Sequence, residues 1–193
     1  EALLKGGTVI KPWHIGALAS VGIRKVDVRR RVRVGVFSTG SELVDLERGD
    51  PAANGIVDST RPMIIAALEA LGCTAVDGGI AVDNVRVITK RVEGLQGRVD
   101  ALISIGGTSV GGKDLVPDAI LEASGRILFH GLAIKPGKPT VVARIGRVPV
   151  FGLPGQPASA MMIFKAVVEP LLQKLTGANA LPMVSQATTN QEA

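Results

Sequence analysis

The loop at residues 106–114 (GGTSVGGKD) carries the most distinctive chemistry in this sequence. It follows the apolar run ALISI at residues 101–105 and precedes a stretch with helical periodicity. Glycines at such a junction let the backbone turn tightly and present N–H groups to an anion. Asp114 stands where a P-loop needs a Ser or Thr hydroxyl for magnesium, so the loop is not a P-loop. We expect a phosphate-binding loop of another kind, with a purely structural tight turn as the alternative.

Three carboxylates follow predicted strands. A carboxylate beside a phosphate site would repel the anion unless a divalent cation bridges them, so Asp114 suggests Mg²⁺. Asp83 follows the strand-like run at 73–82 and is predicted to share that cation, because oxygen ligands suit magnesium better than zinc. Glu42 follows the first strand of the main domain and either reaches the strand ends or is an ordinary exposed glutamate. Asp58, before Ser59, is most simply part of a helix cap.

Two lysines lie three residues apart in the segment KPGKP, at Lys135 and Lys138. The neighbouring prolines stiffen this loop, so the two ammonium groups can be held close together around an anion at little ordering cost. The alternative is a solvated loop with ordinary surface lysines. The segment GLPGQPAS at 152–159 opens a long predicted helix, where Ser159 either binds an anion or caps the helix.

Apolar runs alternate with amphipathic stretches from residue 32 onward. The pattern predicts strands at 32–38, 73–82, 101–105 and 126–134, and two more around the turn at 145–147. Helices are predicted after Ser59, at 84–95, at 116–123 and from 155 to about 176, the last kinked at Pro170. Continuous apolar strands indicate a three-layer α/β/α fold with a mostly parallel sheet. Ligands of such folds bind at the carboxyl ends of the strands, where the loops above lie.

The first 31 residues have a different character. Pro12 is expected in the first turn of a helix through Ser20, and residues 25–28 alternate like an exposed strand. This piece is too small for a core of its own and is interpreted as an N-terminal arm, the remnant of an adjoining domain. Residues 32–177 then form the α/β domain, and the polar residues 178–193 are expected to be disordered.

Composition excludes several classes of protein. Of 193 residues, none lies in an apolar run long enough for a membrane span, and Cys73 is the single cysteine, which excludes a disulfide framework and favours a cytoplasmic protein. The net charge of +5 is concentrated at residues 24–33, where six basic residues face one aspartate. Aromatic residues make up 3% of the chain, so nucleic-acid binding through this stretch is disfavoured.

The ordered set VGVFSTGSEL, DST, ISIGGTSVGGKD, KPGKP and FGLPGQPASA resembles the molybdopterin-binding domain of MoeA-type molybdopterin molybdenumtransferases. Relatives of that domain are the adenylyltransferase of the same pathway and the gephyrin E domain. The preceding TVIKPWHIGALASVGIRKVDVRRR is similar to the segment that enters the domain in the MoeA type, so the resemblance covers about residues 7–176. It implies insertion of molybdate into the dithiolene of adenylylated molybdopterin, with release of AMP, a divalent cation and a homodimer.

The resemblance also implies roles for individual residues. Glu42, Asp83 and Asp114 match the acidic positions of the family, which serve the cation and the cleavage of the phosphoanhydride; Asp83 and Asp114 are the expected metal ligands. Lys135, Lys138 and Ser159 match the oxyanion positions that would hold molybdate. The positions expected to bind the pterin and its phosphates are Thr39, Gly40, Asp58, Ser59, Gly106, Gly107, Thr108, Ser109, Gly111, Pro154 and Gly155.

Two departures and two alternatives accompany this resemblance. The chain has Ser41 where the family often has an aspartate (GDEL), and Gln156 where PGNP is common. Full-length members carry further domains, so this chain is expected to be a fragment that binds ligand without turning it over, or a natural truncation. The alternative functions are a non-catalytic molybdopterin-binding or scaffold module and a molybdopterin adenylyltransferase.

Overall fold

The computed structural model describes residues 3–46, 55–108 and 115–177, and its strands form two sheets. The strands are β1 Arg33–Thr39, β2 Leu43–Val44, β3 Ile56–Val57, β4 Thr74–Ala81, β5 Ala101–Ile105, β6 Arg126–His130, β7 Val141–Ile145 and β8 Val148–Leu153. The helices are α1 Pro12–Ser20, α2 Thr60–Ala70, α3 Val85–Gln96, α4 Leu115–Glu122, α5 Pro157–Ile163 and α6 Glu169–Thr176, with a π-helical turn at Phe164–Val168.

Six strands form the main sheet in the order β4-β1-β5-β8-β7-β6. The first four run parallel, whereas β7 pairs antiparallel with both β8 and β6. Strand β5 is buried along its whole length, which is why four of its five residues are apolar. Strand β6 is shorter than expected, ending at His130, and its exposed residues agree with its position as one of the two edge strands. The predicted α/β fold with a mostly parallel sheet is confirmed.

Helices cover both faces of the sheet. On one face, α3 and α4 bury Ile88 and Ile120 in a cluster with Phe37 of β1 and Leu102 of β5. Helix α2 packs on β1 and β4 and also contacts α5. The apolar residues of α2 that face inward, such as Ile64, are fully buried. Burial of these helical stripes against the sheet supplies the main stabilisation of the domain.

The described residues divide into two compact units, one formed by residues 3–29 and 170–177 and the other by the described residues between 30 and 169. In the first unit, α1 spans the predicted residues and buries Leu18. The exposed strand predicted at residues 25–28 is wrong: these residues are exposed, but they belong to no described strand. Alternation of side chains is not enough, because a strand needs a neighbour for its backbone hydrogen bonds. The predicted disordered tail, 178–193, lies outside the described residues.

The long helix predicted at 155–176 is interrupted. Helix α5 begins at Pro157, and the π-helical turn separates it from α6. In this turn the Glu169 N–H donates to the Phe164 carbonyl, five residues back. Pro170 lacks the N–H that a regular α-helix needs at its position, and the wider turn lies directly before it. The disturbance expected at Pro170 therefore takes the form of a π turn.

Candidate functional site

A cleft of about 480 Å³ opens at the carboxyl ends of the parallel strands β1, β4, β5 and β8. Five short segments line it, at residues 38–43, 56–60, 83, 105–107 and 155–157, with Leu115 of α4. Most of the predicted pterin- and phosphate-binding residues lie in these segments. Because parallel strands end at a common edge, segments more than 100 residues apart in sequence meet in one cleft.

The glycine-rich loop begins in close contact with β1. Gly106 and Gly107 have φ values of 87° and 65°, in the left-handed region that favours glycine. A Cβ on Gly106 would lie 2.7 Å from the Thr39 carbonyl oxygen, and one on Gly107 would lie 2.7 Å from Thr39 Oγ1. The Gly106 N–H donates to the Leu153 carbonyl at 2.9 Å. Both glycines are therefore required by space and by backbone conformation.

Thr108 continues the glycine-rich loop toward β8. It is buried, and its methyl group packs so closely on Gly152 that a Cβ there would lie 2.8 Å away. The predicted residues Ser109, Gly111 and Asp114 lie outside the described residues. Of the predicted metal-ligand pair Asp83 and Asp114, the structure therefore describes Asp83 alone.

Asp83 is oriented by a reciprocal pair of hydrogen bonds with Ser41. The Ser41 N–H donates to Asp83 Oδ2 at 3.2 Å, and the Asp83 N–H donates to Ser41 Oγ at 3.1 Å. Glu42 folds back toward Gly40, whose position for a Cβ lies 3.0 Å from both Glu42 carboxylate oxygens. Both carboxylates line the cleft and both residues are exposed. The sequence reasoning missed Ser41 as a contributor, although a hydroxyl at the same strand edge as Asp83 was the available signal.

Asp58 lines the cleft but its carboxylate is engaged by Arg61. Asp58 is 3% exposed, its Oδ1 accepts the Arg61 N–H at 3.1 Å, and its Oδ2 accepts from Arg61 Nε at 2.9 Å. This is the capping arrangement that the sequence favoured over ligand binding. Burial acts to lower the pKa of Arg61, but hydrogen bonds to Asp58 and Asp77 outweigh it and the pKa lies above its usual value.

Thr60 connects α2 to the loop after β8, a contact that the sequence did not reveal. Its Oγ1 donates to the Gly155 carbonyl at 2.8 Å, beside the exposed Ser59. Gly155 in turn lies close to Gly106, since a Cβ on Gly155 would be 3.7 Å from the Gly106 Cα. Pro154 is buried behind this loop. The start of α2 and the two loops thus brace each other at the mouth of the cleft.

The predicted molybdate-binding residues are not brought into this cleft. Lys135 and Lys138 are exposed on the loop between β6 and β7, whereas Ser159 is buried in the first turn of α5. The loop lies at the same sheet edge as the cleft, because β6 and β8 point in the same direction. At Gly137 this loop packs so closely on α5 that a Cβ there would lie 2.4 Å from Ile163 Cδ1.

The donor set in the cleft suits a hard cation. Asp83 and Glu42 offer carboxylate oxygens, the ligands that Mg²⁺ prefers. Within residues 3–46, 55–108 and 115–177, no group of three or more His, Cys, Asp or Glu side chains is arranged to hold a metal ion.

None of the described helices is long and apolar enough to span a membrane.

Comparison with known proteins identifies the family. Residues 35–174 match the family model described as a probable molybdopterin binding domain. The chain belongs to this family. Among relatives, the molybdopterin molybdenumtransferase of Haemophilus influenzae is 39% identical over 178 residues, which cover 92% of this chain and 43% of that protein. The molybdopterin molybdenumtransferase of a Nostoc species is 35% identical over 179 residues, covering 91% of this chain and 41% of that protein.

A solved structure of a related protein agrees with the sequence relatives. The structure of a MoeA molybdopterin biosynthesis protein from Pyrococcus horikoshii superposes with a TM-score of 0.83 at 34% identity, covering 92% of this chain and 44% of that one. The resemblance to the molybdopterin-binding domain of MoeA-type proteins is therefore confirmed. This molybdopterin-binding domain, with its N-terminal unit, spans less than half the length of each of these three relatives.

Proposed function

We propose that this chain binds adenylylated molybdopterin in the 480 Å³ cleft and serves, within a longer protein, the insertion of molybdenum with release of AMP. The observation that carries the proposal is the meeting of Gly106, Gly107, Glu42 and Asp83 at one strand edge of a molybdopterin-binding domain. The names of the relatives, molybdopterin molybdenumtransferases, support the same reaction.

Some residues of the cleft would bind the ligand, and others would orient the side chains that bind it. The turn at Gly106 and Gly107, which Thr39 closes to side chains, would direct the loop toward the phosphate groups. The Gly106 N–H is bonded to the Leu153 carbonyl, so N–H donation to phosphate would come from residues after Gly106. Ser41 holds one oxygen of Asp83 in place, so that this carboxylate meets the phosphoanhydride region in a fixed orientation. This is catalysis by positioning and charge stabilisation, without a protein nucleophile.

A divalent cation belongs to the proposal. Asp83 and Asp114 are the proposed ligands of Mg²⁺, an ion that prefers carboxylate oxygens, and Glu42 would add a further carboxylate in the same cleft. When bound, the ion supplies neutralisation of the phosphate charge on which the cleavage depends. The negative charge of Asp83 would repel the phosphates of the ligand unless a cation lies between them. Ligand binding is therefore expected to depend on magnesium.

Molybdate would be held by Lys135 and Lys138, whose exposed ammonium groups lie on a loop at the same sheet edge. Ser159 completes the proposed set from α5. The proposal also includes a homodimer, a cytoplasmic location and the division of the chain into an arm (1–31), the binding domain (32–177) and a polar tail (178–193).

Isothermal calorimetry with molybdopterin–AMP and Mg²⁺ tests the proposal. We expect saturable binding to the wild-type chain, weakened at least about tenfold by Asp83→Asn because one charged ligand of the cation is lost. The matched control is Asp118→Asn, which changes an exposed aspartate on α4 outside the cleft. Absence of binding to the wild-type chain, or equal binding by Asp83→Asn, would contradict the proposal. Binding without AMP release would instead favour the non-catalytic binding module.

A further inference from the structure

One wall of the cleft is a very small separate sheet. Strands β2 and β3 pair over two residues, Leu43 with Ile56 and Val44 with Val57. Backbone hydrogen bonds join Ile56 N to the Glu42 carbonyl at 2.9 Å and Asp58 N to the Val44 carbonyl at 3.0 Å. A two-stranded sheet is marginally stable at best on its own, and this one is shorter than most. Other contacts must hold this wall over the cleft.

Arg61 supplies those contacts by joining three carboxylates from different elements. Its Nη2 donates to Asp45 Oδ2 at 2.6 Å, directly after β2, and its Nε donates to Asp58 Oδ2 at 2.9 Å, directly after β3. Its Nη1 donates to Asp77 Oδ2 in β4 of the main sheet. Arg61 itself lies in the first turn of α2. One side chain thus connects the carboxyl ends of both strands of the small sheet to the main sheet.

Burial makes this connection strong and specific to arginine. The Arg61 side chain is 8% exposed and that of Asp58 is 2% exposed, so solvent screens their contact little. The planar guanidinium carries donors in several fixed directions, whereas a lysine offers one compact charge. Hydrogen bonds to charged groups are also stronger than neutral ones. A lysine at this position would keep the charge but could not hold three carboxylates at once.

Arg61 acts without lining the cleft. It borders a neighbouring cleft of about 660 Å³ together with Asp45 and Asp77, whereas Leu43, Ile56 and Val57 line the 480 Å³ cleft. Any effect of Arg61 on a ligand in the first cleft must therefore pass through the groups that it holds, which are the small sheet and Asp58, a residue that borders both clefts. That separation distinguishes a positioning residue from a binding residue.

We propose that Arg61 is a positioning residue that clamps the β2–β3 wall to the main sheet and so sets the shape of the cleft for its ligand. The role in ligand binding rests on the proposed function, since it takes molybdopterin–AMP to be the ligand of this cleft. The clamping itself is independent of any ligand. The two parts are therefore measured separately.

Amide hydrogen exchange tests the clamp with the chain alone. In Arg61→Lys, the amides of Ile56 and Asp58 are expected to exchange at least about tenfold faster, the equivalent of one charge-assisted hydrogen bond. The amides of Leu102 and Ile103 in the fully buried β5 exchange through global unfolding, so they measure how far the substitution lowers the stability of the whole domain. The matched control is Arg86→Lys on α3, an exposed arginine that lines neither cleft. Unchanged exchange at Ile56 and Asp58 in a folded Arg61→Lys chain would overturn the proposal.

Asp45→Ala is a second variant, which leaves the buried ion pair between Arg61 and Asp58 intact. It removes the contact between Arg61 and the end of β2, while those with Asp58 and Asp77 remain. Asp45 is partly exposed, so this chain should fold even if Arg61→Lys does not. Faster exchange at the Ile56 amide, smaller than in Arg61→Lys, is expected. Wild-type exchange in Asp45→Ala would contradict the clamp just as directly.

Calorimetry with molybdopterin–AMP and Mg²⁺ then tests the consequence for the ligand. At a temperature at which both chains are fully folded, Arg61→Lys is expected to weaken binding at least about fivefold through the displaced wall. A merely stabilising residue would lower the melting temperature and leave the affinity of the folded chain unchanged. If the wild type binds and Arg61→Lys, with its faster exchange, binds equally well, the role in ligand binding is wrong. If the wild type does not bind, the proposed function fails while the exchange result still decides the clamp.

Discussion

Carboxylates have opposite surroundings at the two ends of the parallel strands, which are called here the amino edge and the carboxyl edge. At the amino edge, Asp100 accepts two hydrogen bonds from Arg30, at 2.7 and 2.6 Å, and one from the Arg33 N–H at 2.8 Å. At the carboxyl edge, Asp83 accepts one backbone N–H and remains exposed in a cleft. A carboxylate surrounded by protein donors stabilises the structure, whereas one that keeps acceptor capacity in a cleft is suited to bind a ligand.

A glycine at the carboxyl edge and a glycine in α3 differ in the space that surrounds them. Gly107 lies within a turn that leaves no room for a side chain, next to Thr39 and Val116. A Cβ on Gly94, at an exposed position of α3, would meet no side chain or neighbouring element within 4 Å. The same chemical change at these two glycines should therefore have opposite consequences.

The largest effect is expected for Gly107→Ala. A Cβ there would lie 2.7 Å from Thr39 Oγ1 and adopt a φ of 65°, so the free energy of unfolding should fall by at least about 2 kcal/mol. Gly94→Ala, in a helix with free space, should leave stability unchanged or raise it by about 0.5–1 kcal/mol. Urea unfolding of both variants measures the difference. Equal stability of the two would show that the turn is not closed to side chains.

An intermediate effect, on ligand binding alone, is expected for the double variant Lys135→Ala, Lys138→Ala. Both lysines are exposed, so the free energy of unfolding should change by less than about 0.5 kcal/mol. The affinity for molybdate, measured by calorimetry, should fall at least about tenfold because two positive charges are removed from the proposed oxyanion site. Lys90→Ala, at an exposed position on α3, is the control and should bind molybdate as the wild type does. Unchanged affinity in the double variant would remove the lysine loop from the site.

The smallest effect is expected at the amino edge, through Asp100→Asn. The hydrogen bond from Arg30, above all, holds the pKa of Asp100 below its usual value of 3.8. Its ionised form therefore stabilises the fold above about pH 4, and this contribution is lost as the pH falls through the lower folded-state pKa. The difference in melting temperature between wild type and Asp100→Asn should be constant from pH 5 to about pH 7 and shrink below pH 4. Asp27→Asn serves as the control, and a difference that does not shrink as the pH falls below 4 would contradict the assignment.

The sequence predicted this architecture because the burial of one face of a helix or strand places apolar residues at a regular spacing. Strand β5 matches its apolar run residue for residue, and α1 spans the predicted Pro12–Ser20. The cleft follows from the same pattern, since parallel strands must end at one edge. The alternation at residues 25–28 misled because it has the periodicity of a strand without the partner that a strand requires.

The contacts that shape the cleft produce no such regular pattern in the sequence. Ser41 and Asp83 are 42 residues apart, and Arg61 reaches Asp45 and Asp77 at 16 residues on either side. Periodicity tells which face of an element is buried but not which polar side chains meet after folding. The lysine loop shows the same limit, because residue type suggested an anion site but could not place Lys135 and Lys138 relative to the cleft.

The single tryptophan has a consequence for spectroscopy. Trp13 lies on α1 in the first unit and is 67% exposed, and the chain has no tyrosine. Intrinsic fluorescence therefore reports on the surroundings of one helix, whereas far-ultraviolet circular dichroism reports on the helices and strands of the whole chain. An unfolding curve recorded by each method follows a different part of the molecule. A tryptophan introduced at Leu115, on the rim of the cleft, would give the second unit an optical signal of its own.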